Sequence, residues 1–205
     1  MRSMPSNMYA PWAEVVPDAP YPMRVADLAG LPDDGRRYEI VEGRLVRMPG
    51  SASQAARIAM RLVYFLMAFT FPRKLGDVTG PDGTYDLTQP GDATETALIP
   101  DVAFVQAGRL PAILSAAAKQ YPRLAPDLAA EVVSPSQGRT EMDDKARLYL
   151  DRDVRLVWVI WPDTQTVDVW RPGADTPVAT PGANDQLDGL DVIPGFICPV
   201  ADLFV

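Results

Sequence analysis

The segment VRLVWVIWPDTQTVDVWRP, residues 154–172, constrains the fold more than any other stretch of the chain. Residues 155–160 and 166–170 are dense in β-branched and aromatic side chains, which favour strands, and Asp163-Thr164 between them suits a hairpin turn. Further strands are expected over 99–105 and 128–133. Shorter ones are expected over 77–79 and 84–87, around the Pro81-Asp82-Gly83 turn. In YEIVEGRLVRM, residues 38–48, two β-prone runs surround Glu42-Gly43 and predict a tight hairpin.

Helical spacing dominates elsewhere. Ile58, Leu62, Phe65, Leu66 and Phe69 recur on one face, so a helix capped by Ser51 or Ser53 runs to about residue 69 and stops before Pro72. A second helix is expected over about 143–150, with Thr140 and Asp143 as its capping box. A short helix over 24–30 is closed by Gly30 and Pro32, residues 171–188 read as loop, and 199–205 finishes as a short turn or helix. This alternation predicts an α/β (or α+β) chain with one mixed sheet. Residues 1–22, interrupted by Pro5, Pro11, Pro17, Pro20 and Pro22, form an extended N-terminal arm. Tyr9 and Trp12 suit that arm to packing on a surface, a partner's included, and residues 23–205 make a single domain.

Composition narrows the chemistry. None of the 205 residues is histidine, which excludes histidine-containing zinc sites and Ser-His-Asp hydrolysis. The single cysteine, Cys198, excludes an intrachain disulfide and a cysteine-rich metal site, and reads as structural. A metal here needs oxygen ligands, which points to Mg²⁺, Mn²⁺ or Ca²⁺. The net charge of −8 argues against a broad nucleic-acid-binding surface. It is compatible with a local cleft whose carboxylates hold cations. The most apolar run, residues 58–71, falls short of the about 20 residues of a membrane span and carries Arg61. Residues 1–22 lack the continuous apolar stretch of a signal peptide, so no membrane association and a cytoplasmic location are expected.

Two carboxylates sit inside apolar strands. Asp101 opens PDVAFV, where alternation groups it with Ala103 and opposite Val102 and Phe104. Glu131 lies in LAAEVV, on the face of Ala129 and Val133. An unpaired buried carboxylate is costly, so either the pair shares a divalent cation or each marks an acidic strand end facing solvent. Lys145, with Tyr149 one turn on, is either a partner of such a centre or a surface lysine paired with Asp144 or Glu141. Arg36, Arg37, Arg44 and Arg47 cluster about the first hairpin, and Arg139 and Arg147 flank Lys145; each set reads equally as phosphate contacts or as a solvated face. Trp158, Trp161 and Trp170 read as sheet core, edge packing or dimer contact rather than as base-stacking platforms. Gly80-Pro81-Asp82-Gly83 lacks a phosphate-loop ending, and Ser134-Pro135-Ser136 lacks a relay for a serine nucleophile.

The ordered set YEIVEGRLV, IPDVAFV, DLAAEVVSPS, DDKARLYL and VRLVWVIWPDTQTVDVWRP closely resembles the Uma2 family, also called DUF820 and described as "putative restriction endonucleases". The likeness spans about residues 24–205. It implies a restriction-endonuclease-like fold of the PD-(D/E)XK superfamily, a central mixed β-sheet flanked by helices. It implies a homodimeric, Mg²⁺- or Mn²⁺-dependent endonuclease acting on DNA. By the resemblance Asp101 is the aspartate of the PD element and Glu131 the acidic residue of the second, with the main-chain carbonyl of Val132 as a further metal ligand. Valine stands at 133 where the superfamily has lysine, and the lysine migrates to the next helix as Lys145. Glu39 matches an acidic residue near the same site, and Gly43 the hairpin glycine. Gln54 stands where members often carry histidine; it can hydrogen-bond a phosphate but cannot act as a base near neutral pH. Gln54, Arg44 and Arg139 are therefore the expected substrate contacts. Two other readings stay open: a catalytically inactive interaction protein with a nuclease fold, and a phosphodiesterase for another nucleic acid or nucleotide.

Overall fold

The computed structural model describes residues 13–50, 53–109 and 121–205. In chain order the elements are β1 (Glu14–Val15), a 3₁₀ turn (Val25–Gly30), β2 (Tyr38–Val41), β3 (Arg44–Arg47), α1 (Ser53–Arg73), β4 (Gly76–Thr79), β5 (Tyr85–Asp86), β6 (Ala97–Leu98) and β7 (Val102–Gln106). They continue with β8 (Leu128–Val132), α2 (Arg139–Asp151), β9 (Leu156–Trp161), β10 (Thr166–Trp170), β11 (Gln186–Asp188), β12 (Ile197–Pro199) and a closing 3₁₀ turn (Val200–Leu203).

The central sheet runs β10-β9-β8-β7-β4 and is mixed: β8 and β9 are parallel and the other pairs antiparallel. The expectation of a single sheet needs correction. The first hairpin joins β1, β5 and β6 in a second, antiparallel sheet ordered β1-β3-β2-β6-β5, and β11 pairs with β12 as a separate ribbon. That ribbon also takes residues 186–188 out of the expected loop, with Leu187 and Cys198 directly opposed and buried.

Strand alternation sends successive residues of the central sheet into different layers. Val102, Phe104, Ala130, Trp158 and Ile160 pack under α1 through Ile58, Leu62 and Leu66. Ala103, Val105, Ala129, Val133, Val157 and Val159 face α2 and the second sheet through Met142, Ala146, Tyr149, Val41 and Val46. Each core-facing leucine- or valine-sized side chain contributes about 1.5–3 kcal/mol by leaving water.

Local chemistry sets the joints. Glu42 and Gly43 both have positive φ, 50° and 76°, as a type I′ hairpin turn requires. A side chain at Gly43 would also meet Pro22 at 2.9 Å, where the N-terminal segment crosses. Contrary to expectation, α1 continues through Pro72. It ends in a Schellman arrangement: Leu75 N–H donates to Thr70 C=O, Lys74 N–H to Phe71 C=O, and Lys74 has φ 55°. The start of α2 also differs from the Thr140/Asp143 box, because Glu141 reaches back to accept the Gly138 N–H at 2.8 Å. Of the expected arm, Glu14 and Val15 pair with β3, and Val16 and Ala19 pack beside Met23 and Val25; Tyr9, Trp12 and Ser51 lie outside the described residues.

Among the described residues α1 is the one helix long and apolar enough to cross a membrane. Its inner face is core, and its outer face exposes Met60, Tyr64, Met67 and Phe71 in a line.

Candidate active site

Asp101 lies in the bend that enters β7, and Glu131 on β8 points toward α2 with Ala129 and Val133. The Val132 N–H donates to Asp101 Oδ2 at 2.8 Å, which ties the two strand ends together. Within a strand, a residue's N–H and C=O leave the same edge, so the Val132 carbonyl also faces the Asp101 side. Asp101 and Glu131 line one small cavity of about 20 Å³, together with Arg37, Val132, Ser134 and Gln137.

Behind Glu131 the site is sealed. Lys145 comes from α2 and Glu39 from β2, and both are fully buried; Glu131 is 5 % exposed. The Lys145 ammonium lies 3.0 Å from Glu131 Oε1 and 3.3 Å from Glu39 Oε1. Glu39 Oε1 also accepts the Ile99 N–H at 2.8 Å. Tyr149, one helical turn beyond Lys145, donates its hydroxyl to Glu131 Oε1 at 2.6 Å. Both donors converge on one oxygen of Glu131, which leaves the other for the cavity.

Burial raises the Glu131 carboxyl to about 7; the Lys145 charge opposes this, Asp101 and Glu39 add to it, and the Tyr149 hydroxyl opposes it. Burial alone would pull Lys145 down, but Glu131 and Glu39 hold its ammonium above the usual lysine range. Burial beside these carboxylates pushes the Tyr149 phenol well above its ordinary value, so it acts as a neutral donor.

The structure therefore brings together Asp101, Glu131, Lys145 and Glu39 from four separate elements. Lys145, however, has no contact with solvent, so in this arrangement it reaches the cavity only through Glu131. Of the arginines, Arg37 stands at the cavity: it lies 3.7 Å from Asp101 Oδ1 and donates to the Pro81 carbonyl at 3.0 Å. Arg44, among the expected substrate contacts, does not line this cavity. It begins β3 at the turn end of the hairpin, with its guanidinium over Tyr21, whereas the cavity lies at the Arg37–Met48 end. Gln54 and Arg139 line a neighbouring, larger cavity.

The residues suit a hard divalent cation. Among the described residues no cluster of three or more aspartate, glutamate or cysteine side chains could hold a metal. Two carboxylates and a carbonyl, completed by water, are the sparse oxygen set that Mg²⁺ uses. Cys198 has no such role, since burial, with Asp202 adding to it, pushes its thiol up to about 12.

Three contributors escaped sequence reasoning. Tyr149 was visible as a neighbour of Lys145 but not as a donor to Glu131. Arg37 was one of four equivalent arginines. Asp168, 1 % exposed within β10, carries the same signal as Glu131, a carboxylate inside an apolar strand, and it anchors Arg139 and Trp161.

A mixed sheet clasped between α1 and α2, with acidic residues at the adjoining ends of β7 and β8, defines a restriction-endonuclease-like fold. A solved structure shares it: the crystal structure of "a putative nuclease belonging to DUF820" from Anabaena variabilis ATCC 29413 aligns with a TM-score of 0.72 at 21 % identity, covering 89 % of this chain and 98 % of that one. The sequence profile of Uma2, described as "Putative restriction endonuclease", matches residues 25–201, and the chain belongs to that family. No curated protein matches the chain.

Proposed function

We propose that this protein is a divalent-cation-dependent endonuclease that hydrolyses DNA phosphodiester bonds. Its family carries nuclease-like function. The observation that supports the finer reading is the meeting of Asp101 and Glu131 on one small surface cavity, with Lys145 and Glu39 directly behind. Asp101, Glu131 and the Val132 carbonyl would hold Mg²⁺ or Mn²⁺. Such an ion supplies Lewis acidity toward a phosphoryl oxygen and lowers the pKa of water.

The chain's own residues prepare that centre. Lys145 and Tyr149 fix the rotamer of Glu131 and offset its charge, and Glu39 in turn holds Lys145. Arg37 neutralises Asp101 and stands where a phosphate would approach, a role for which a guanidinium is well shaped. Gln54 and Arg139 flank the approach without acting as bases. The protein works in the cytoplasm as a homodimer. The exposed line of Met60, Tyr64, Met67 and Phe71 on α1 supports the dimer, because contiguous apolar surface of this kind marks interaction sites.

The test is a Mg²⁺ titration with supercoiled, linear and single-stranded DNA, using D101A and K145A as controls. Cation-dependent cutting that both variants lose is expected. Equal trace cutting by wild type and D101A would overturn the assignment. One observation favours a second reading, a non-catalytic interaction protein. Lys145 is wholly buried and Arg37 already pairs with Asp101. Absence of cutting under every cation and substrate would select it.

A further inference from the structure

A second cavity of about 200 Å³ adjoins the proposed cleavage centre, and Ser134 and Gln137 line both. One wall is a flat cationic surface: the Arg139 guanidinium lies 4.3 Å from the ring centroid of Trp161. Both groups are held by the same buried carboxylate. Asp168 Oδ2 accepts the Trp161 indole N–H at 2.7 Å and an Arg139 N–H at 2.6 Å, while Oδ1 accepts the Thr180 hydroxyl at 2.8 Å. Besides tying the 178–181 segment to β10, this network fixes a partly exposed tryptophan and arginine in one orientation beside an opening. The Gln54 amide and the Asp163 carboxylate also line the cavity and offer hydrogen bonds to a ring edge.

The cavity is smaller than the ~300–1,000 Å³ of sites for drug-sized ligands, so it suits a single planar group. Aromatic and guanidinium planes bind nucleobases by stacking, and enzymes acting on nucleic acids read an unstacked base in such pockets. We propose that this cavity is a nucleobase subsite, which takes one unpaired base of a DNA strand whose adjoining phosphate lies at Asp101 and Glu131. The inference rests on the nuclease reading and sharpens it: the preferred substrate has an unpaired nucleotide next to the bond that is cut.

Fluorescence anisotropy of the full chain in Ca²⁺ tests it. The probes are a short labelled single strand, the same strand with abasic sugars, and the matching duplex. The base-bearing strand is expected to bind about tenfold or more tightly than the abasic strand, as one stacked base implies, and more tightly than the duplex. W161A should erase that preference and W161F should keep it. Q54F, which fills the cavity from an exposed helix position, should erase it with the melting temperature unchanged. Equal binding of base-bearing and abasic strands, tighter duplex binding, or a preference that survives both W161A and Q54F would overturn the subsite. Cleavage assays with D101A report separately on the nuclease reading. Cutting without a base preference would reject only the subsite, and a base preference without cutting would reject only the nuclease reading.

Discussion

Replacing Lys145 with methionine keeps the length of the side chain and removes the charge that Glu39 and Glu131 share. The ammonium lies 3.3 Å and 3.0 Å from these two carboxylates, in a place without solvent. Removing one partner of a buried ion pair typically costs about 3–5 kcal/mol, because the remaining charge is stranded. Here a stranded carboxylate can take up a proton instead. Raising Glu131 from an ordinary 4.5 to about 7 already corresponds to about 3–4 kcal/mol of unfavourable charging, at ~1.4 kcal/mol per pH unit. Between those values the unfolded chain is ionised while the folded chain keeps its proton. The stability from this group is thus full below about pH 4.5 and is lost as pH rises through about 7. Without Lys145 the folded carboxyl holds its proton to still higher pH. Urea unfolding of K145M against wild type should therefore show a deficit of about 3–5 kcal/mol near pH 8, falling well below that near pH 5.5. The triple variant E39Q/E131Q/K145M, with no charge left to strand, should recover most of the loss at both values. A K145M deficit under about 1 kcal/mol near pH 8, or one equal at both pH values, would refute a buried charge cluster.

The proposed Mg²⁺ site gives a prediction on the same titration: calorimetry should find Mg²⁺ affinity rising with pH through about 7 as Glu131 loses its proton, with protons released, and D101N should abolish it. Y149F removes a hydrogen bond that lowers the Glu131 carboxyl, so the midpoint of that pH profile should move upward, with a stability loss of about 1 kcal/mol. An unmoved midpoint would leave Tyr149 with packing alone. G76A should weaken the fold by about 2 kcal/mol or more in urea, because its Cβ would lie 2.1 Å from the Val105 carbonyl and 2.7 Å from the Phe104 ring; G80A, with open space around it, is the control. For the proposed homodimer, light scattering should find wild type dimeric and Y64E/F71E, which charges the outer line of α1, monomeric, while the melting temperature holds, since both residues are exposed.

Much of the architecture follows from local periodicity. The two runs of VRLVWVIWPDTQTVDVW form β9 and β10 as read, and the Glu42-Gly43 hairpin takes the turn that its residues favour. Alternation also groups Asp101 with Ala103, and Glu131 with Ala129 and Val133, and those apolar partners share one core layer. The carboxylates were conspicuous for a simple reason: an acid within an apolar strand demands a partner. The same reasoning applied to TVDVW would have flagged Asp168.

What the sequence determined by itself is therefore which face of each strand carries an acid, since a strand repeats every two residues. The tertiary structure alone decided which partner each acid meets. Glu39 and Lys145 stand 106 positions apart and touch because a second sheet, not an extension of the first, lies with α2 against one face of the central sheet. That layering seals Lys145 behind Glu131, makes Tyr149 a donor, and brings Arg37 rather than Arg44 to the cavity. Such choices depend on how layers bury their apolar faces together, a long-range condition that no local pattern in the chain encodes.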